Sequence, residues 1–120
     1  MKRYKLKQHP IKHQLKKRII PYDITMLISL LQKGKDKAIR SKDLEVMMQI
    51  DEDPGTHNRK IRDIIRTAII DYNIPIGGCS SGYFIIKTEK ELIEIDKRLT
   101  SQIEGIRERL SSLKQNFYLY

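Results

Sequence analysis

One stretch constrains this chain more than any other: Thr56–Tyr83, THNRKIRDIIRTAIIDYNIPIGGCSSGY. Within it, Ile61, Ile64, Ile65, Ala68, Ile69 and Tyr72 recur at three- and four-residue spacing and share one face of a helix. Arg59, Arg62 and Arg66 recur at the same spacing on another face. A helix of this kind packs its apolar side on a core and presents guanidinium groups outward. Thr56 is the expected N-cap. Ile70 fits poorly, because it falls roughly opposite the apolar stripe.

The residues after this helix read as two short strands, Ile74–Ile76 and Tyr83–Lys87. Gly77, Gly78, Ser80, Ser81 and Gly82 form the loop of a hairpin between them. Pro75 removes an amide donor and points to an edge position for the first strand.

Upstream, Asp23 is a good N-cap for a first helix with Ile24, Leu27, Ile28 and Leu31 on one face and Gly34 as its C′ residue. Ala38–Arg40 can form a short strand. Ser41 is the expected cap of a second helix, with Leu44, Met47 and Met48 inside and Val46 and Ile50 less well placed. Asp51-Glu52-Asp53-Pro54-Gly55 is a turn.

Downstream, Thr88-Glu89-Lys90-Glu91 is a capping box, the clearest helix start in the chain. From there Leu92, Ile95, Leu99, Ile103, Ile106, Leu110, Leu113 and Phe117 step by 3, 4, 4, 3, 4, 3 and 4, an eleven-residue unit followed by heptads. A helix reaching Lys114 would extend roughly 39 Å, longer than so small a domain needs. Leu99, Ile103, Ile106, Leu110, Leu113 and Phe117 are therefore the expected self-association or partner surface. The aromatic end, Phe117-Tyr118-Leu119-Tyr120, is a second place for a protein partner.

The charge is uneven. Net charge is +9, and residues 1–20 carry eight basic residues and no acid. The excess is an arm suited to a polyanion, nucleic acid before an anionic membrane. Ile11–Ile20 could form a short basic helix within it. His9 and His13 lack a third ligand and read as part of the arm. The chain divides into this arm (1–20), a core domain (21–88) and a long helix with its tail (89–120).

A single cysteine, Cys79, allows no intrachain disulfide framework and no cysteine-based zinc site. The sequence contains no run of 18 apolar residues and no signal-peptide core, so the expectation is a cytoplasmic protein without membrane association. No nucleophile–base set, phosphate loop or metal-ligand spacing stands out. The expectation is a protein that is not an enzyme, with no cofactor and no metal.

Helix, short strand, helix, helix, hairpin, long helix is an α+β order that resembles a winged helix-turn-helix domain: a three-helix core plus a two-stranded hairpin, here with a long C-terminal helix. The chain is similar to the N-terminal domains of the biotin-operon repressor and of WYL-type regulators. The parts that carry the likeness are Arg59-Lys60-Ile61-Arg62-Asp63-Ile64-Ile65, Asn73-Ile74-Pro75-Ile76 and Ser80-Ser81-Gly82-Tyr83-Phe84-Ile85. Small phage- and prophage-encoded proteins with a similar hairpin and a trailing helix like Gln102–Arg109 look closer still. Asn73 stands where the family usually has Gly, and Asn also visits the left-handed region. The turn between the second and third helices is longer than usual and carries three acids.

The resemblance implies duplex DNA binding, as a homodimeric transcriptional regulator or a replication accessory. Asn58, Arg59 and Arg62 would reach base edges, because Arg reads guanine and Asn reads adenine through paired hydrogen bonds. His57, Lys60 and Arg66 would meet phosphates, with Ser41, Lys42, Ser80 and Ser81 as further anchors. The arm, with Lys2, Arg3, Lys5 and Lys7, would track an adjacent groove. The alternative is a docking module that uses the last helix and does not read DNA sequence.

Overall fold

The computed structural model describes residues 20–51 and 59–120. The proposed arm helix, Lys2, Arg3, Lys5, Lys7, His57, Asn58 and the Thr56 cap lie outside these residues.

The described chain is α+β. Four α-helices, α1 (Tyr22–Leu30), α2 (Ser41–Met47), α3 (Arg59–Tyr72) and α4 (Glu89–Leu119), accompany a two-stranded antiparallel hairpin of β1 (Ile76–Cys79) and β2 (Gly82–Ile85). A 3-10 turn, Lys35–Lys37, lies between α1 and α2.

The core forms where α1, α2 and α3 converge on the hairpin. Ile24 and Leu27 of α1, Leu44 of α2, Ile61 of α3 and Phe84 of β2 are almost completely buried. Each such side chain contributes about 1.5–3 kcal/mol on leaving water. Ile65, Ala68, Leu31, Met48 and Ile76 complete the buried set, and Ile64 and Tyr72 pack against it half-buried. The stripe of α3 is thus the one its periodicity gives, except that Ile69 is 41% exposed. The helix continues through Ile70, which is 46% exposed on the outer side.

Several boundaries differ from the sequence expectation. α1 stops at Leu30, and Pro21, not Asp23, occupies its N-cap position. Gly34 is not its C′ residue. Leu31 is already extended, and the chain runs on to pair with β2: Ile85 N–H donates to Gln32 O (2.8 Å) and Gly34 N–H to Ile85 O (2.9 Å). Gly34 (φ 104°) then turns the chain into the 3-10 segment. The expected strand at Ala38–Arg40 is reduced to a single bridge, in which Ile39 exchanges backbone hydrogen bonds with Tyr83. Ser41 is the first helical residue of α2, and Arg40 holds the cap position without a side-chain bond.

Met47 is not an inner-face residue: it is 44% exposed, and Ile50 packs on the core in its stead. The reason lies in how α2 ends. Gln49 turns left-handed (φ 54°), Gln49 N–H donates to Val46 O, and Ile50 N–H reaches back to Glu45 O. This is a Schellman closure, which folds the residue after the left-handed one back onto the helix. At the end of α3, Asn73 adopts φ 56°, the left-handed geometry that Asn tolerates.

The hairpin is shifted from its expected place. Gly77 and Gly78 are strand residues, paired with Phe84 and Tyr83, and only Ser80 and Ser81 form the turn. A side chain at Gly77 would meet Ile95 Cδ1 of α4 at 2.5 Å and the Phe84 ring at 3.0 Å. The glycine is what lets α4 lie across β1. Gly82 (φ 126°) starts β2, and a Cβ there would sit 2.1 Å from the carbonyl oxygen of Ile39.

The capping box forms as read: the Thr88 hydroxyl accepts from Glu91 N–H, and the Glu91 carboxylate accepts from Thr88 N–H. Beyond Asp96 every residue of α4 is exposed.

Candidate nucleic-acid interface

Two groups of cations stand on the surface, each set there by packing elsewhere. The first is on α3. With Ile61, Ile65 and Ala68 buried, the 100° step per residue places Arg62, Arg66 and Arg59 roughly 100–160° round the helix from Ile61. All three are exposed. The opposite flank of α3 is taken by α1, where Asp63, Ile64 and Thr67 line a shallow pocket with Pro21, Asp23 and Ile24. The arginine edge therefore faces away from α1. Among the described residues no hydrogen bond or ion pair engages these three guanidinium groups.

Lys60 behaves differently. Its ammonium donates to the backbone carbonyl of Asp51 and ties the start of α3 to the end of the α2 segment. Of the three acids expected in this turn, Asp51 meets α3 through its main-chain oxygen, and Glu52 and Asp53 lie outside the described residues.

The second group lies in an open groove of about 580 Å³ between the start of α2, the hairpin turn and α4. Arg40 and Lys42 enter from one wall, Arg98 from the other, and Ser41, Ser80 and Gln102 bring polar side chains. No carboxylate lines it among the described residues. Ser41 and Lys42, at the start of α2, and Ser80, in the hairpin turn, line this one groove, whereas Ser81 is exposed on the turn but is not part of the groove. Sequence reading missed Arg40, Arg98 and Gln102. Arg98 does carry a signal in the sequence: it follows Ile95 by three residues, and Ile95 lies against Gly77.

The expected partner surface on α4 is bare. Leu99, Ile103, Ile106 and Leu110 are 48–54% exposed, Leu113 is 61% and Phe117 is 77%. Phe117 and Tyr118 meet edge to face, with ring centroids 5.2 Å apart, but neither is covered.

Among the described residues no helix is long and apolar enough to cross a membrane, and no three His, Cys, Asp or Glu side chains gather as a metal site. Comparison with protein-family models, with curated proteins and with solved structures gives no match to this chain.

Proposed function

We propose that this chain is a winged helix-turn-helix protein that binds duplex DNA, serving as a small regulator or replication accessory. In this reading α3 enters the major groove, the β1–β2 hairpin is the wing, and Arg40, Lys42 and Arg98 take the sugar–phosphate backbone. The observation that carries it is the arginine edge of α3: three guanidinium groups, exposed, facing away from α1, and without a protein partner among the described residues. Arginine in such a setting suits bidentate contact with guanine O6 and N7. Phosphate contacts position a protein on the duplex, and a groove that among the described residues is lined by cations and no carboxylate suits that task.

Selection of bound sequences from a random duplex pool at two ionic strengths tests the reading. A recovered consensus is expected, with affinity falling as log Kobs against log[salt] with a slope of about −0.9 per phosphate neutralised. Recovery of no consensus, with weak binding to all duplexes, would sink it.

A further inference from the structure

Beyond the arginine edge, the outer half of α4 carries information about what covers it. The helix lies on β1 at Ile95, still lines the groove with Arg98, Leu99 and Gln102, and leaves the body from Ile103; from Leu99 onward every residue is exposed. Placed in a heptad, Ile103, Leu110 and Phe117 fall at position a, and Leu99, Ile106 and Leu113 at d. The e positions are then Thr100, Arg107 and Lys114, and the g positions are Gln102, Arg109 and Asn116. Every charge flanking the seam is positive. The acids in this segment, Glu104 and Glu108, fall at b and f, away from it.

This pattern decides between occupants. Two copies of α4 packed seam to seam would bring Arg107, Arg109 and Lys114 of one against the same set of the other. A parallel pair sets Arg109 beside Lys114 of its mate, and an antiparallel pair sets e against e and g against g. In neither arrangement does a cation meet an acid across the flanks. Charges at e and g set partner choice in paired helices, and like charges there act against self-pairing.

We infer that the seam from Leu99 to Phe117 is the docking surface for an amphipathic helix of a different protein, one with apolar residues at a and d and with Asp or Glu at both flanks. The acidic flanks pair with Arg107, Arg109 and Lys114, and the apolar stripe covers the six exposed hydrophobic side chains. The inference is independent of duplex binding, which uses other residues.

The test uses the full chain and two synthetic helical peptides, each with leucine at a and d, one with glutamate and one with lysine at every e and g position. Binding is followed by fluorescence anisotropy, and the mass of the chain alone by sedimentation. The glutamate peptide is expected to bind at least about tenfold more tightly than the lysine peptide, given three favourable pairs replaced by three repulsive ones. The chain alone is expected to sediment as a monomer over the same concentration range. The variant R107E/R109E/K114E is expected to reverse the peptide preference while keeping its helical circular dichroism, since all three positions are solvent-exposed. A dimer that the glutamate peptide does not displace would give the seam to a second copy and overturn the inference. Equal binding of the two peptides, or binding of neither, would overturn it as well. So would loss of duplex binding in the triple variant without any peptide preference, because the cations would then serve nucleic acid.

Discussion

Glu91 Oε2 accepts the backbone N–H of Lys35 at 2.9 Å, across 56 positions of sequence. Its other oxygen accepts from Lys87 N–H at 2.8 Å and from Thr88 N–H at 3.3 Å. One carboxylate thus fixes the start of α4 to both the α1–α2 connection and the exit of the hairpin. The Lys35 ammonium adds an ion pair with Glu94 at 3.4 Å, solvent-screened and of small effect. The Lys35 amide, followed by those of Lys87 and Thr88, holds Glu91 below the ordinary carboxylate pKa.

The first prediction follows from that depression. A carboxylate with a lowered folded-state pKa stabilises the fold above its unfolded pKa, and the effect is lost as pH falls through the folded value. Glu91→Gln keeps one acceptor oxygen and removes the charge. Its Tm is expected to be lower than that of the parent at neutral pH and to converge with it at acid pH, below the lowered pKa. Thermal melts from pH 7 downward check this. A constant gap at all pH values would mean that the carboxylate's charge is not what holds the joint.

Gly77→Ala and Gly82→Ala are expected to differ in a defined order. At Gly77 the clash is with side-chain atoms of Ile95, Phe84 and Ile86, which can shift in part. Its cost is about 1–3 kcal/mol, and Ile95→Val, which lacks the offending Cδ1, should restore some of it. At Gly82 the new Cβ meets backbone at Ile39 and the φ is positive, so the cost should be larger, about 2–4 kcal/mol. Chemical denaturation of the three single variants and of the Gly77→Ala/Ile95→Val double measures both the order and the rescue.

Arg62→Ala and Arg98→Ala should separate reading from anchoring on a duplex recovered by selection. The first is expected to cost about 1–3 kcal/mol and to relax preference at one base position. The second should weaken all duplexes alike and reduce the salt slope by about 1. Competition titrations with single-base variants distinguish the two outcomes, and an exchange of effects would reverse the roles assigned to α3 and the groove.

Gly105 sits in mid-helix with open space where its Cβ would be. Glycine there costs helix stability for no packing gain in the isolated chain. Gly105→Ala should therefore stabilise α4 by about 0.5–1 kcal/mol, seen as higher residual helicity on heating. A neutral or destabilising result would show that α4 melts before position 105 matters.

The parts of this fold legible in the sequence are those governed by local chemistry. The Thr88 box, the left-handed Asn73 and the buried stripe of Ile61, Ile65 and Ala68 all follow from neighbours within a few residues. Local chemistry puts Gly77 and Gly78 in the loop, because glycine is a poor strand residue in isolation. Both are strand because they pair with Phe84 and Tyr83, and at Gly77 the Ile95 and Phe84 side chains also occupy the space that a side chain would need. Gly34 departs from its expected C′ role for a similar reason, since the extended run from Leu31 depends on hydrogen bonds offered by Ile85, more than fifty residues away. Of the candidate interface, the arginine edge was visible in the spacing of Arg59, Arg62 and Arg66. The groove was not, because Arg40 and Arg98 meet only once α4 has crossed β1.

That crossing has a mechanical consequence. β1 and α4 run the same way, since Ile95 lies over Gly77 and Gln102 reaches the groove beside Ser80. The free segment of α4 therefore departs from the tip of the hairpin, not from its base. It is one unbroken helix to Leu119, so the last 17 residues form a stiff spacer of about 26 Å. A load at the far end would bear on the contact of Ile95 with Gly77, with the Lys35 N–H to Glu91 hydrogen bond on the far side of it.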